Sequence, residues 1–230
     1  MIGTWPDIAY AVTALSKHSA NPTKEHISKV LYICCYLLGT PDAVLCFDGD
    51  QNQGIIAFTD ADWASDPNNC KSQISWSFKL PKCTFSWHSH QQPIVAHSST
   101  EAEYMSLLDC GRQVFWICQL LGELGYKLDP IPICGNNQES IFMASNAIIE
   151  QHSKSIDIQW HTIYDWIKNG HIKLFFIDGA SNPANMFIKN LGHIKFEEFR
   201  QNLGLIISWG HSIIFFTPYH YILYYTLMHL

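Results

Sequence analysis

The sequence is short of charge, and of positive charge in particular. Charged residues make up 15% of its 230 residues, against about 25% in ordinary soluble domains. Its 14 Lys and Arg residues are outnumbered by 20 Asp and Glu, and the net charge of -6 argues against a dedicated nucleic-acid-binding protein. Hydrophobic residues, at 47%, are abundant enough for the core of one large domain, or of a compact domain with an appendage.

The sequence also lacks the cysteine spacing of a metal-binding or disulfide-rich domain. None of its eight cysteines belongs to a Cys-x-x-Cys pair, so neither a zinc ribbon nor a disulfide framework is expected. We therefore expect reduced thiols and a cytoplasmic or nuclear protein. Cys83 with His88 and His90, and His97 with His152, could bind zinc chemically, but their spacing matches no ordinary zinc site.

Helix signals dominate the first fifty residues. A helix is predicted to begin with Asn21 as its cap and Pro22 at its first position, and to end at Gly39. Apolar residues recur within it at helical spacing, which predicts a buried stripe made of Val30, Ile33, Cys34, Leu37 and Leu38.

The pattern then changes to that of strands. Residues 54–59 form a short apolar run, and residues 75–80 and 84–87 alternate between polar and apolar, so an antiparallel meander is expected. Ser98 is predicted to cap a long helix that ends near Gly125, with Glu101 reaching back to its first turn. The expected buried face of this helix consists of Leu107, Val114, Ile117, Leu121 and Leu124.

Alternating strands and helices continue to about residue 204. A strand is predicted at 131–134, then a helix through 141–143, a helix at 156–167 and a strand at 172–177 that is buried on both faces. Asn182 and Pro183 open a further helix. This order of elements predicts an α/β fold with a mixed sheet.

The last stretch, residues 205–230, contains no Asp, Glu, Lys or Arg. It is long enough to cross a bilayer, for which about 20 apolar residues suffice. Gly210, Pro218 and several His and Tyr residues interrupt it, however, and no basic residues flank it. We expect an apolar tail of unclear origin rather than a membrane span.

Two acidic residues stand where catalytic side chains are often found. Asp60 follows a short apolar strand, and Glu103 lies in the first turn of the long helix. If the two converge over the sheet, they provide the oxygen ligands that Mg²⁺ prefers. Each also has an ordinary structural interpretation, Asp60 as a turn residue and Glu103 as a charge favoured by the helix dipole.

Four motifs in a fixed order resemble the C-terminal part of the Pol polyprotein of copia-type retrotransposons. Residues 59–64 (TDADWA) and 98–104 (SSTEAEY) are similar to hallmarks of its ribonuclease H (RNase H) domain, and residues 153–158 (SKSIDI) to its S-K-H-I-D-I. Residues 5–12 (WPDIAYAV) resemble the end of its reverse transcriptase. The resemblance implies an RNase H-like mixed sheet flanked by helices, with a short helical N-terminal segment and an apolar C-terminal tail. The expected division is a reverse-transcriptase remnant at 1–48, an RNase H-like domain at 49–204 and the tail at 205–230.

The resemblance also implies a catalytic set, and this chain departs from it. Family enzymes hold two Mg²⁺ ions with an Asp-Glu-Asp-Asp set and hydrolyse the RNA strand of an RNA–DNA hybrid. Asp60 and Glu103 match the first two positions and are the expected metal ligands, whereas Asn136 and Asn185 stand at the other two. Amides carry no negative charge, so we expect weakened metal binding.

Acidic neighbours of these four positions have other expected roles. Asp62 and Glu101 are expected to support or cap the site. Whether Glu139 or Asp178 compensates for the lost carboxylates stays open.

The expected function is therefore a retrotransposon RNase H-like domain with little or no turnover. The alternatives are a non-catalytic nucleic-acid-binding module and a degenerate fragment without a biochemical role. No small-molecule cofactor is expected. Two sets of side chains could serve a nucleic acid, although core packing and simple solubility explain them as well: Trp63, Trp76 and Trp87, and Lys71, Lys79 and Lys82.

Overall fold

The computed structural model describes residues 4–47, 54–146 and 162–207. The helices are α1 (Ala9–Ser16), α2 (Lys24–Gly39), α3 (Ser99–Glu123), α4 (Gln138–Ser145), α5 (residues 162–168) and α6 (His193–Asn202). Three short 3-10 helices are η1 (Pro6–Ile8), η2 (Gly179–Ser181) and η3 (Pro183–Phe187). The strands are β1 (Ala43–Leu45), β2 (Ile56–Asp62), β3 (Gln73–Lys79), β4 (Thr84–Gln91), β5 (Ile131–Gly135), β6 (Ile172–Phe176) and β7 (Leu205–Ile207).

Five of these strands form one mixed sheet in the order β4-β3-β2-β5-β6. The β4-β3-β2 part is an antiparallel meander, and β5 and β6 continue from β2 in parallel. The meander and the mixed α/β sheet predicted from the sequence are thus confirmed. Helix α3 packs across β2, β3 and β5.

The main core lies between α3 and the sheet. Phe78 of β3, Ile133 of β5 and Tyr104 and Leu107 of α3 are almost completely buried in it. Each such side chain contributes about 1.5–3 kcal/mol by leaving water. Trp76 also packs in this core, and its indole N–H donates to Asp109 Oδ2 at 2.8 Å. This burial confirms a structural role for Trp76.

Several sequence-based boundaries and burial patterns are wrong. The cap of α2 is Thr23 rather than Asn21, because Thr23 and His26 form a reciprocal capping box. Within the stripe predicted for this helix Ile33 is buried and Leu37 partly so, but the other three members, Val30, Cys34 and Leu38, are exposed.

Two further burial predictions fail because of where the residues lie. Leu124 follows the last turn of α3 and is exposed, so it does not belong to the buried face. Strand β6 was predicted to be buried on both faces, yet Phe175 and Phe176 are half exposed because β6 is an edge strand of the sheet.

The helix opened by Asn182 and Pro183 is the short 3-10 helix η3 rather than an α-helix.

A second, two-stranded sheet joins distant parts of the chain. Strand β1 pairs antiparallel with β7, with Ala43 opposite Ile207 and Leu45 opposite Leu205. The first three residues of the predicted tail therefore belong to the fold, and residues 208–230 lie outside the described ranges. The expected domain limits at 48/49 and 204/205 stay predictions. No helix within the described ranges has the length and apolar character needed to cross a membrane.

Candidate active site

The position of Glu103 over β2 follows from a buried hydroxyl network. Ser106 Oγ of α3 donates to the backbone oxygen of Asp60 at 2.9 Å and lies 2.6 Å from Thr59 Oγ1. Thr59 Oγ1 in turn donates to the backbone oxygen of Ser75 in β3 at 3.1 Å. This network fixes the start of α3 against β2, and Glu103 lies one turn before Ser106.

Asp60 and Glu103 are both withdrawn from water and interact with each other. Asp60 is 1% exposed and Glu103 8% exposed. Burial and, after it, the neighbouring Asp60 carboxylate together raise the pKa of Glu103 to about 9. Burial likewise raises the pKa of Asp60 to about 6, against a lowering effect of the Lys189 ammonium group. Burial and the proximity of the two groups thus both disfavour simultaneous ionisation of Asp60 and Glu103.

Asn136 lies level with Asp60 on the neighbouring strand. The parallel register pairs Phe58 with Cys134, so Asn136, two residues further along, is adjacent to Asp60. Asn136 Nδ2 donates to Asp60 Oδ1 at 3.0 Å, and the backbone N–H of Ala61 donates to the same oxygen at 2.9 Å. The amide thus offers a hydrogen-bond donor to Asp60 where a carboxylate would offer another oxygen ligand.

Asn185 is held on the same side by the backbone of η3. Asn182 caps η3 by accepting from the Ala184 N–H at 3.1 Å, and its Nδ2 donates to the Thr59 oxygen at 2.8 Å. Asn185 itself is 5% exposed and donates to the Gly179 oxygen. A Cβ on Gly179 would lie 3.4 Å from Asn136 Nδ2, so the two amide side chains flank this glycine.

The remaining acidic residues near the site have structural partners. Glu101 Oε2 accepts from the His97 N–H at 2.6 Å, which agrees with the capping role predicted for it. Glu139 Oε2 accepts from Thr100 Oγ1 at 2.9 Å, and Asp178 Oδ1 caps η2 by accepting from the Ala180 N–H at 2.7 Å. Asp62 is half-buried, and burial raises its pKa. Compensation by Glu139 or Asp178 stays an open prediction.

Three residues that position the site were missed in the sequence. Lys189 lies close enough to lower the pKa of Asp60, Asp62 and Glu103 against the effect of burial. Ser106 and Asn182 supply the hydrogen bonds described above. Asn182 was recognised in the sequence only as the start of a helix, and neither Lys189 nor Ser106 was singled out there.

The donor set does not fit a site for two Mg²⁺ ions. Two divalent cations require several anionic oxygens, and of the four side chains proposed for the site only Asp60 and Glu103 are carboxyl groups, whose ionisation burial disfavours. In the part of the chain that the structure describes, no group of three or more His, Cys, Asp or Glu side chains could hold a metal ion. The rings of His88 and His90 are tilted against each other with centroids 4.4 Å apart, and they are not part of such a group among the described residues.

Comparisons with known proteins show which proteins this chain is similar to. No protein-family model matches it. It is 35% identical over 205 residues to the retrovirus-related Pol polyprotein of transposon TNT 1-94 from Nicotiana tabacum, covering 89% of this chain and 15% of that protein. It is 31% identical over 205 residues to the Pol polyprotein of transposon RE2 from Arabidopsis thaliana, covering 88% of this chain and 14% of that protein. Among solved structures, LC11-RNase H1 in complex with an RNA/DNA hybrid aligns with a TM-score of 0.45 at 14% identity, covering 59% of this chain and 94% of that one.

The five-stranded mixed sheet brings the buried carboxyl groups of Asp60 and Glu103 together. The homologues of this chain are retrovirus-related Pol polyproteins of transposons, which it matches over 88–89% of its own length, as the motifs predicted. It spans about one seventh of the length of the polyproteins it matches, 14–15%.

Proposed function

We propose that this chain is an RNase H-like domain that binds RNA–DNA hybrid and hydrolyses its RNA strand very weakly or not at all. One observation carries the proposal: the hydrogen bond of 3.0 Å from Asn136 Nδ2 to Asp60 Oδ1. Asp60 Oδ1, an oxygen expected to bind metal, therefore accepts a hydrogen bond from an amide nitrogen. A cation could bind this oxygen from the same side only if that hydrogen bond were broken.

Electrostatics support the same conclusion. Hydrolysis by this family places negative charge around two divalent cations, and here burial disfavours the ionisation of both Asp60 and Glu103. Charge–charge attraction in a partly desolvated site amounts to several kcal/mol per pair, so the loss of two carboxylates removes much of the affinity for both ions. The two carboxyl groups that remain, Asp60 and Glu103, are both harder to ionise because they are buried, which weakens each of them as a base for activating water.

The resemblance to the RNase H domain of copia-type Pol polyproteins supports RNA–DNA hybrid as the proposed ligand. The phosphate backbone would have to bind without a strong excess of basic residues, since the chain has a net charge of -6. We therefore expect weak binding that falls further as salt is raised.

The test is a hybrid-cleavage assay in Mg²⁺ and Mn²⁺ on three proteins: the unaltered chain, Asn136→Asp with Asn185→Asp, and that double variant with Asp60→Asn added. We expect the double variant to cleave about a thousandfold faster than the unaltered chain, because several kcal/mol of cation binding return to the transition state. Adding Asp60→Asn should abolish the gain. Rapid cleavage by the unaltered chain, lost on Asp60→Asn alone, would overturn the proposal.

A measurement of hybrid binding distinguishes a domain that binds hybrid without cleaving it from a protein that does not bind hybrid at all. Retention of a labelled hybrid by the unaltered chain at low salt, with loss at high salt, is the expected outcome. No retention at any salt concentration would leave only the degenerate-fragment alternative.

A further inference from the structure

The N-terminal helices leave an open groove on the protein surface. Residues of α1, of α2 and of the loop between them line an open cavity of about 340 Å³, here called the hairpin groove. It has no Asp, Glu, Lys or Arg in its lining, and its apolar walls are Val12, Leu15, Ile27, Val30, Ile33 and Leu37. Without charge on its walls, this groove is unsuited to a nucleic acid backbone.

Apolar side chains at and beyond the groove are exposed to a degree that a folded domain rarely tolerates. Val30 is 47% exposed and Leu38, in the last turn of α2, is 80% exposed. Clustered exposure of this kind is typical of a surface that another segment covers. Covering it would contribute about 25 cal/mol for each Å² of apolar surface removed from water.

The pairing of β7 determines which segment is nearest to the groove. Because β7 runs antiparallel to β1 and Ile207 lies opposite Ala43, the chain at Ile207 heads towards the residues before Ala43. Those residues are Thr40 and Gly39, where α2 ends. The chain therefore leaves β7 in the direction of the C-terminal end of α2, where Leu38 is exposed.

The composition and length of that segment match the groove. Residues 208–230 contain no Asp, Glu, Lys or Arg and are rich in Ile, Leu, Phe and Tyr. Helix α2 has 16 residues, hence a length of about 24 Å. A segment of 23 residues, which reaches up to about 76 Å when extended, is more than long enough to follow it.

We propose that the apolar segment 208–230 docks in the hairpin groove of its own chain and covers the exposed apolar face of α2. The proposal does not depend on nuclease activity or on hybrid binding. It also gives the uncharged end of the sequence a role as the missing cover of the N-terminal helices.

Two adjacent cysteines provide an internal comparison for the test. Cys34 lines the hairpin groove, and Cys35, the next residue of α2, lies outside its lining; both are exposed free thiols. In the full chain under native conditions, a small alkylating reagent should modify Cys34 about tenfold more slowly than Cys35, as measured by mass spectrometry, because docking must open before Cys34 reacts.

Variants of the full chain show whether segment 208–230 causes the protection. Phe215→Asp with Phe216→Asp introduces charge into the segment and leaves α1 and α2 unaltered, so Cys34 should then react within about twofold of Cys35. Val30→Asp, inside the groove, should have the same effect. Leu31→Asp is the matched control, because Leu31 is exposed on the same helix but outside the groove lining, and the protection of Cys34 should persist.

Two results would overturn the proposal. Equal alkylation of Cys34 and Cys35 in the unaltered full chain would mean that nothing covers the groove. Protection that increases with protein concentration, together with a doubled mass in solution, would identify a second copy of the chain as the occupant instead.

Discussion

The two sides of the candidate site differ in the charge of their side chains. On the side formed by β2 and α3, the two positions proposed to match the family's catalytic set are the carboxyl groups of Asp60 and Glu103, and both are deeply buried. On the side formed by β5 and η3, the positions proposed to match are the amides Asn136 and Asn185. The proposed loss of charge therefore lies entirely on one side.

The backbone on the amide side is nevertheless fully supported. Asn182 caps η3 and binds the Thr59 oxygen, and Ser75 Oγ donates to the Ala184 oxygen at 2.9 Å. The side chains that hold η3 are thus separate from those that would hold metal. A catalytic charge can be lost in such a site without local unfolding, since Asn and Asp have nearly the same size and shape.

The amides at positions 136 and 185 also affect the stability of the site. A cluster of buried carboxylates without cations repels itself and is costly to desolvate. Replacing two of four by amides relieves this repulsion, and Asn136 goes further by donating a hydrogen bond to Asp60. The present site is therefore expected to be more stable without metal than an intact acidic set.

The largest expected effect comes from restoring one carboxylate. Asn136→Asp places a third acidic group beside Asp60 and Glu103 and removes a hydrogen bond, so without metal the free energy of unfolding at pH 8 should fall by about 3 kcal/mol. Millimolar Mg²⁺ or Mn²⁺ should recover much of this loss, because ions bind only the folded form. Thermal melts with and without the ions measure both changes.

Asn21→Asp is the matched control for that variant, since it makes the same chemical change at an exposed position. It should alter stability little, and its melting temperature should not respond to the ions. If Asn136→Asp were as stable as the unaltered chain at pH 8 without metal, the stated repulsion between the buried carboxyls would be wrong.

Next in size is the loss of the residue that supports η3. Asn182→Ala removes a cap and a buried hydrogen bond to Thr59, and the expected cost is about 2–3 kcal/mol by chemical denaturation. Asn185→Ala, in the same 3-10 helix, should cost less than half as much, because only its bond to the Gly179 oxygen is lost. Equal losses would contradict the separation of supporting residues from charge-bearing positions.

The third prediction concerns pH. Since Glu103 has a raised pKa in the folded chain, the folded form keeps a proton that the unfolded form releases near pH 4.5. The stability that this group provides is fully present below pH 4.5 and declines as pH rises towards about 9. Glu103→Gln cannot ionise, so its stability should decline less and exceed that of the unaltered chain by about 2 kcal/mol at pH 9.

Melting curves from pH 5 to about 9 test this slope. Asp60→Asn should flatten it partly, because it removes the neighbouring negative charge that raises the pKa of Glu103. An unchanged slope in Glu103→Gln would show that another group is responsible for the pH dependence.

Much of the fold was predictable because its signals are local. Alternation predicted β3 and β4, and Ser98 with Glu101 predicted the start of α3. The pairing of β1 with β7 was not predictable, because two strands of three residues each, about 160 positions apart, leave no periodic pattern. The start of α2 was missed because His26 takes the place that Glu or Gln usually has in a capping box.

The site was predictable in its identity but not in its interactions. Resemblance indicated which four positions to compare, but the hydrogen bond from Asn136 to Asp60 depends on the register of β2 and β5. The raised pKa values of Asp60 and Glu103 depend on burial that no single motif encodes. Ser106, whose hydroxyl fixes α3 to β2, had no signal beyond being a small residue in a helix.

The smallest expected effect distinguishes the two glutamates of the motif at residues 98–104. Glu101 binds the His97 N–H and carries a negative charge at the N-terminus of α3, so Glu101→Ala should cost about 0.5–1 kcal/mol. Glu101→Gln keeps the acceptor and loses only the charge, and should cost about half of that. In the Asn136→Asp and Asn185→Asp background, neither change should reduce hybrid cleavage, whereas Glu103→Gln should abolish it. A comparable loss of cleavage on Glu101→Gln would mean that the two glutamates share the site, and that the division between capping and catalytic positions on α3 is wrong.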